Sequence, residues 1–180
     1  MSGRMVALIR GINVGRAKRV AMADLRALVS DLGYGDVRTL LNSGNVVFAA
    51  GVAPDDAAAR IEEGLAARLG VSARVVAFSA EALAAVVAEN PLLEVADNPS
   101  RLMVSFLLDS ADRARLTALE EQDWTPEVLA LGAHAAYLWC PEGLRDSPLS
   151  RAVNRALGDA VTTRNWSTVL KLHTLALEPC

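Results

Sequence analysis

The residues most able to do chemistry gather in three stretches. The first, RGINVGRAKRV from Arg10 to Val20, joins two glycines and an asparagine to the basic side chains Arg10, Arg16, Lys18 and Arg19. Gly11 and Gly15 can adopt positive φ and bring backbone N–H groups close to a ligand, Asn13 adds an amide, and the cations favour an anion. The second, TTRNWSTVLKL from Thr162 to Leu172, offers Thr163 as a helix cap and Arg164 as a planar fork for phosphate or carboxylate, with Asn165 and Lys171 alongside. On a helix, Thr163, Ser167 and Lys171 share one stripe, and Arg164, Thr168 and Lys171 the next. The third is Asn42-Ser43-Gly44-Asn45, whose composition makes a hairpin turn with or without a function. Ser43 has no histidine or lysine near it in sequence to act as a base, so it does not read as a nucleophile.

Charge and composition narrow the field. The formal net charge is -3, which excludes a general nucleic-acid-binding surface. Yet five of the 18 basic residues (Arg4, Arg10, Arg16, Lys18, Arg19) precede the first acid, Asp24, so one edge of the molecule is cationic. Only Lys18 and Lys171 are lysines, and each falls in a candidate stretch. His134 and His173 lie far apart, and Cys140 and Cys180 have neither metal-ligand spacing nor a disulfide framework. We expect no metal and no cofactor. The apolar runs are strand-sized and interrupted by charge, and no signal peptide or membrane span is legible, so the expected setting is the cytoplasm.

The elements that must position these stretches follow from periodicity. An apolar strand, Met5 to Ile9, feeds the first loop. Met22, Leu25, Leu28, Val29 and Leu32 then share a helical face that stops at Gly33. Val37 to Leu41 and Val46 to Ala49 form a hairpin across the Asn42–Asn45 turn. Pro54 opens a second helix carrying Ile61, Leu65 and Leu69, closed by Gly70, and residues 73–78 return as a strand. The order β-α-β-β-α-β is that of the ferredoxin-like plait. A helix capped by Ser79 with Glu81 in its first turn follows, ending at Asn90-Pro91, and residues 91–101 connect.

The order then repeats. Leu102 to Leu108 is a strand and Ser110 to Glu121 a helix. Val128 to Leu131 and Ala135 to Cys140 pair around Gly132, Leu149, Val153 and Leu157 mark a helix, Asp159 to Thr163 a short strand, and Asn165 to Leu177 a closing helix. In that helix Trp166, Leu170, His173 and Leu177 form the docking face. The expected fold is α+β, two tandem ferredoxin-like halves at 1–90 and 102–180, the second atypical in its extra C-terminal helix.

Together, LIRGINVGRAKRVAMADLR, LNSGNVVF and TTRNWSTVLKL resemble the bacterial family catalogued as domain of unknown function 1697, over nearly the whole chain. The resemblance implies two plait-like halves and brings no established activity. Arg16 stands where that family usually has a second glycine, which makes the loop more cationic and less free to wrap a phosphate. Asp146-Ser147-Pro148-Leu149 stands where a serine followed by a basic residue is usual, which weakens any role for Ser147. A looser similarity links the chain to acylphosphatases, which use the same plait with an arginine after the first strand and an asparagine near the end of the second. Arg10 and Asn42 occupy roughly those positions. An arginine cradle with an amide-oriented water needs no titrating base.

Three functions therefore stand. The first is binding of a phosphate-bearing ligand, a nucleotide or a nucleic-acid end, by Arg10, Asn13, Gly15 and Lys18, the turn Asn42, Ser43, Gly44 and Asn45, and Thr163, Arg164, Asn165 and Lys171. The second is an acylphosphatase-like hydrolase built on Arg10 and Asn42. The third is an interaction module in which these residues hold the molecule together. Sequence-specific RNA recognition is not expected, because Phe48, Phe78, Phe106, Tyr137 and Trp139 are scattered along the strands. The oligomeric state is open, since an edge strand of either half could pair with another copy.

Overall fold

The structure is a computed structural model and describes residues 2–107 and 109–179, so the end of the strand expected through Leu108 and the cysteine at position 180 lie outside it. The chain is α+β, with two four-stranded antiparallel sheets and, among the described residues, six α-helices. The first sheet contains β1 (Gly3–Ile9), β2 (Gly35–Leu40), β3 (Asn45–Ala50) and β4 (Val75–Ser79) in the order β2-β3-β1-β4. Helices α1 (Met22–Asp31) and α2 (Pro54–Leu69) connect them, and α3 (Ala80–Ala88) follows. The second sheet contains β5 (Leu102–Leu107), β6 (Val128–Leu131), β7 (Ala135–Trp139) and β8 (Val161–Asn165) in the equivalent order β6-β7-β5-β8. Its helices are α4 (Ser110–Glu120), α5 (Pro148–Leu157) and α6 (Trp166–Leu177). Each sheet is thus followed by a helix after its fourth strand, so a closing helix is common to both repeats and does not set the second apart.

Spatially the chain divides into two units. One runs to Leu83 and takes back the segment from Lys171 onward; the other is Ala84–Leu170. In the first unit the alternation of β1 sends Met5, Ala7 and Ile9 to one side, where Val46, Phe48 and Val75 join them under Leu25, Leu28 and Val29 of α1 and Ile61 and Leu65 of α2. Tyr34 stacks on Phe48 at a centroid distance of 5.1 Å. Burying each of these large aliphatic side chains contributes roughly 1.5–3 kcal/mol. Gly33 and Gly70 carry φ of +91° and +65°, the left-handed geometry that stops α1 and α2.

The second unit repeats the scheme, with Leu116, Leu149, Val153 and Leu157 packed with Met103, Ala136 and Leu138. Tyr137 is fully buried and donates its hydroxyl to the carbonyl of Val86 at 2.6 Å. The other faces of both sheets are buried too: Val6, Leu8 and Val47 in the first, Val104, Phe106 and Tyr137 in the second. No row of stacking aromatics is open to solvent, since Phe48, Phe106, Tyr137 and Trp139 are buried and Phe78 half-buried. No helix among the described residues is long and apolar enough to cross a membrane.

Two sequence expectations at α6 are corrected. The helix begins at Trp166, and Asn165 is its cap, its Oδ1 accepting from the N–H of Thr168 at 2.9 Å. Thr163 therefore does not cap it, and neither Thr163 nor Arg164 lies on a helical stripe; both belong to β8, which pairs with β5 as Ser105↔Thr163 and Val104↔Arg164. The buried stripe of α6 is Trp166, Val169, Leu172 and Ala176, whereas Leu170 and Leu177 are exposed and His173 is half-buried. Apolar residues occupy two sides of this segment, so spacing alone does not choose between them.

Candidate functional site

The first loop leaves β1 at Arg10, whose N–H is fixed by the carbonyl of Arg74 at 2.8 Å. Four of its residues sit in the left-handed region: Gly11 and Gly15 at φ +70° and +63°, Asn13 and Lys18 at +56° and +51°. Glycine takes this geometry freely and asparagine tolerates it, which explains much of the composition of the stretch. The loop is held by Asn13. Its Nδ2 donates to the carbonyls of Val20 and Asn42, each at 2.8 Å, and its Oδ1 accepts from the N–H of Val20 at 2.8 Å. A backbone bond from Asn13 to the carbonyl of Lys18 closes the loop at 3.0 Å.

The turn between β2 and β3 is the other wall. Gly44 has φ +80°, and a Cβ there would stand 2.9 Å from both Ile9 Cβ and Ile12 Cδ1, so glycine is required twice over. Its carbonyl accepts from Ile9 N at 2.8 Å, and the fully buried Asn45 donates to the carbonyl of Leu40 at 2.9 Å and to Ser43 Oγ at 2.8 Å. Leu41, with φ +59°, is held in a conformation that costs a branched residue about 1–3 kcal/mol. It is also 52% exposed, and Val14 of the first loop is 71% exposed.

Between the two walls lies a hollow of about 380 Å³ lined by Asn13, Arg19, Val20, Ala21 and Asn42. It opens at the start of α1, where Ala21 is the N-cap and no side chain caps the helix. The first N–H groups of a helix have no partner within it and carry its positive dipole end. Arg16, Lys18 and Arg19, in the loop that leads into α1, are exposed, and Asp24 is the acid in the first turn of α1.

The structure thus brings together two of the three stretches read in the sequence and sorts their residues. Asn13, Gly44 and Asn45 spend their polar atoms or their missing Cβ on holding the loops. Lys18 stays exposed, Gly15 shapes the loop, and Arg10 is half-buried at its root. Asn42 gives its carbonyl to Asn13 and leaves its side chain exposed, beside an exposed Ser43. Of the lining residues, Arg19 was read in the sequence only as one of the loop's cations, and Val20 and Ala21 were not chosen; the exposure of Val14 and Leu41 was not foreseen either. The signal for Leu41 was an aliphatic residue directly before a glycine–asparagine turn.

The third stretch lies apart in sequence and is largely committed to its own surroundings. Thr163 Oγ1 pairs with Ser105 Oγ at 2.8 Å, and Asn165 caps α6. Arg164 donates to the carbonyl of Thr163 at 2.9 Å, and burial pushes its pKa down to about 10, still charged at neutral pH. Lys171 is exposed on α6.

A buried cluster in the second unit was also missed. Ser147, the cap of α5, accepts from Ser150 N at 2.9 Å and donates to Glu127 Oε2, while Glu127 Oε1 accepts from Leu149 N at 3.1 Å. The thiol of Cys140 donates to Ser147 Oγ at 3.5 Å, and burial pushes its pKa up to about 11. A thiol kept protonated at neutral pH is a poor nucleophile, and the bonds of Glu127 and Ser147 hold the start of α5. Among the described residues no group of three or more His, Cys, Asp or Glu side chains could hold a metal ion.

The chain is thus a pair of α+β repeats with a cationic loop at the end of the first strand. The model of the family described as "Protein of unknown function (DUF1697)" matches residues 2–137, and the chain belongs to that family. The fold is shared with the conserved bacterial protein SP0830 from Streptococcus pneumoniae. That structure aligns over 98% of this chain and 99% of its own with a TM-score of 0.76 at 23% sequence identity. No curated protein matches the chain.

Proposed function

We propose that the protein binds a phosphate-bearing ligand, and that the hollow between the first loop and the β2–β3 turn receives the phosphate. One observation carries this reading: the start of α1, uncapped by any side chain, opens into a hollow lined by Arg19 and two asparagines, with Lys18 and Arg16 exposed in the same loop as Arg19. Backbone donors, a helix dipole and a guanidinium together favour an anion. The same proposal includes two ferredoxin-like plaits over 1–90 and 102–180, which the strand orders β2-β3-β1-β4 and β6-β7-β5-β8 support. It also includes a cytoplasmic setting, supported by the free, buried thiol of Cys140.

The test is calorimetric titration of the folded protein with inorganic phosphate and nucleotides, beside Arg19→Ala. Removing a charge-assisted contact should weaken binding about tenfold or more. Unchanged affinity in Arg19→Ala, or no binding by the wild-type protein, overturns the reading. The hydrolytic alternative gains nothing from the geometry, since Arg10 does not line the hollow and Asn42 lies past the end of β2.

A further inference from the structure

The outer strands of an antiparallel sheet turn alternate N–H and C=O groups away from it, and such an edge is a template for a further strand. The edges here are β2 and β4 in the first sheet and β6 and β8 in the second. At the end of β6, Gly132 donates to the carbonyl of Ala135 at 2.8 Å, so by the alternation of the ladder Leu131 turns its own N–H outward. Glu120, the last residue of α4, takes that N–H: its Oε2 accepts it at 2.8 Å. Arg113, earlier on the same helix, donates its Nε to the carbonyl of Gly132 at 3.1 Å. The arrangement recurs in the first sheet. Arg10 donates to the carbonyl of Arg74 at 2.8 Å beside the β1–β4 ladder, so Val75 turns its N–H outward, and Oε1 of Glu62 on α2 accepts it at 2.7 Å. The remaining edges are interrupted in other ways. β2 slips its register between Gly35 and Arg38, with Asp36 at φ +44°, and in β8 the carbonyl of Thr163 receives Nη1 of Arg164 at 2.9 Å.

We infer that Glu62 and Glu120 are edge guards: each holds the N–H that the carbonyl of an added strand would need, and so keeps a second copy of the chain from extending either sheet. A second copy is the partner such an edge fits, because two identical edges meet antiparallel about a two-fold axis and each then satisfies the other. A carboxylate suits the task, since a hydrogen bond to a charged acceptor is stronger than the one a main-chain carbonyl would put in its place. Glu120 is exposed and Leu131 half-buried, so the β6 edge is within reach of solvent, and it is there that removing the guard has its plainest effect.

The experiment is sedimentation velocity across a range of protein concentrations, with amide hydrogen exchange read at Leu131. It uses the full chain, Glu120→Ala, Glu62→Ala, the double variant and Glu120→Gln, each checked for folding by circular dichroism. We expect the Leu131 amide to exchange about tenfold or more faster in dilute Glu120→Ala than in the wild type, as loss of a hydrogen bond to a carboxylate implies. At high concentration Glu120→Ala should self-associate more strongly than the wild type while Leu131 regains protection, and the double variant should associate most. Glu120→Gln keeps an amide oxygen as acceptor and should sediment as the wild type does. Folded alanine variants that associate no more than the wild type overturn the assignment, as does Glu120→Gln associating as strongly as Glu120→Ala. Association that leaves Leu131 exchanging as in the dilute variant overturns it in favour of another surface. A Leu131 amide that exchanges in the wild type as fast as an unstructured one overturns it without any variant.

Discussion

Asn13 and Asn42, 29 residues apart, are joined by a hydrogen bond of 2.8 Å from the side-chain amide of the first to the backbone carbonyl of the second. The same amide also brackets Val20, accepting from its N–H and donating to its carbonyl. One side chain thereby fixes both ends of the first loop and ties it to the β2–β3 turn. Replacing Asn13 with alanine removes three hydrogen bonds and puts a residue ill-suited to φ +56° in the loop. We expect Asn13→Ala to lose about 2–4 kcal/mol in urea denaturation, with Asn13→Asp, which keeps only the acceptor, between it and the wild type. A loss of under about 0.5 kcal/mol, the range of ordinary surface changes, would contradict this role.

Gly44 makes a second, independent demand. Alanine there meets a positive φ and two isoleucine side chains at 2.9 Å. Strain and overpacking of about 1–3 kcal/mol each predict a marked fall in melting temperature for Gly44→Ala. Shortening the neighbour in Ile12→Val should relieve part of the overpacking. A double-mutant cycle in which Gly44→Ala and Ile12→Val simply add would show that the clash is not with Ile12.

These residues explain how much the sequence disclosed. The repeated element order was legible because most helices have a glycine or proline boundary and most strands an apolar run, as at Pro54, Gly70 and Leu102. The cationic loop was legible for the same local reason. What spacing could not disclose was pairing at long range: that Asn13 bonds to Asn42, that Thr163 lies in a strand beside Ser105, and that Glu127 reaches across to the start of α5. The face of α6 was misread because Val169, Leu170, Leu172 and Leu175 surround the helix, so only the packing selects Val169 and Leu172 for burial.

Glu127 carries the next prediction. Its carboxylate is buried and receives the hydroxyl of Ser147 and the N–H of Leu149, two donors at the entry to α5. Glu127→Ala leaves both unsatisfied, which should cost about 2–4 kcal/mol by denaturant unfolding. Glu127→Gln keeps one amide oxygen as acceptor and should recover about half of that. Equal losses in the two variants would assign the effect to volume rather than to hydrogen bonding.

Asp36 predicts a pH dependence. It pairs with Arg4 and with Arg38, whose Nε lies 3.1 Å from Asp36 Oδ1, and Arg38 extends the pair to Glu178 at 2.5 Å. Burial acts to raise the Asp36 pKa, but the hydrogen bonds and charges of Arg4 and Arg38 outweigh it and hold the carboxyl below its usual 3.8. A group whose folded pKa is depressed stabilises the fold above its unfolded value and loses that contribution as pH falls through the folded one. The variant Asp36→Asn suits the test, since asparagine keeps the size and tolerates the φ of +44° at this position. The melting temperature of the wild type should exceed that of Asp36→Asn at neutral pH, and the gap should begin to close as pH drops below 3.8 and disappear at lower pH. Added salt should narrow it as well, because the side chains are partly exposed. A gap that holds constant from neutral pH into strong acid would show that Asp36 acts by shape and not by charge.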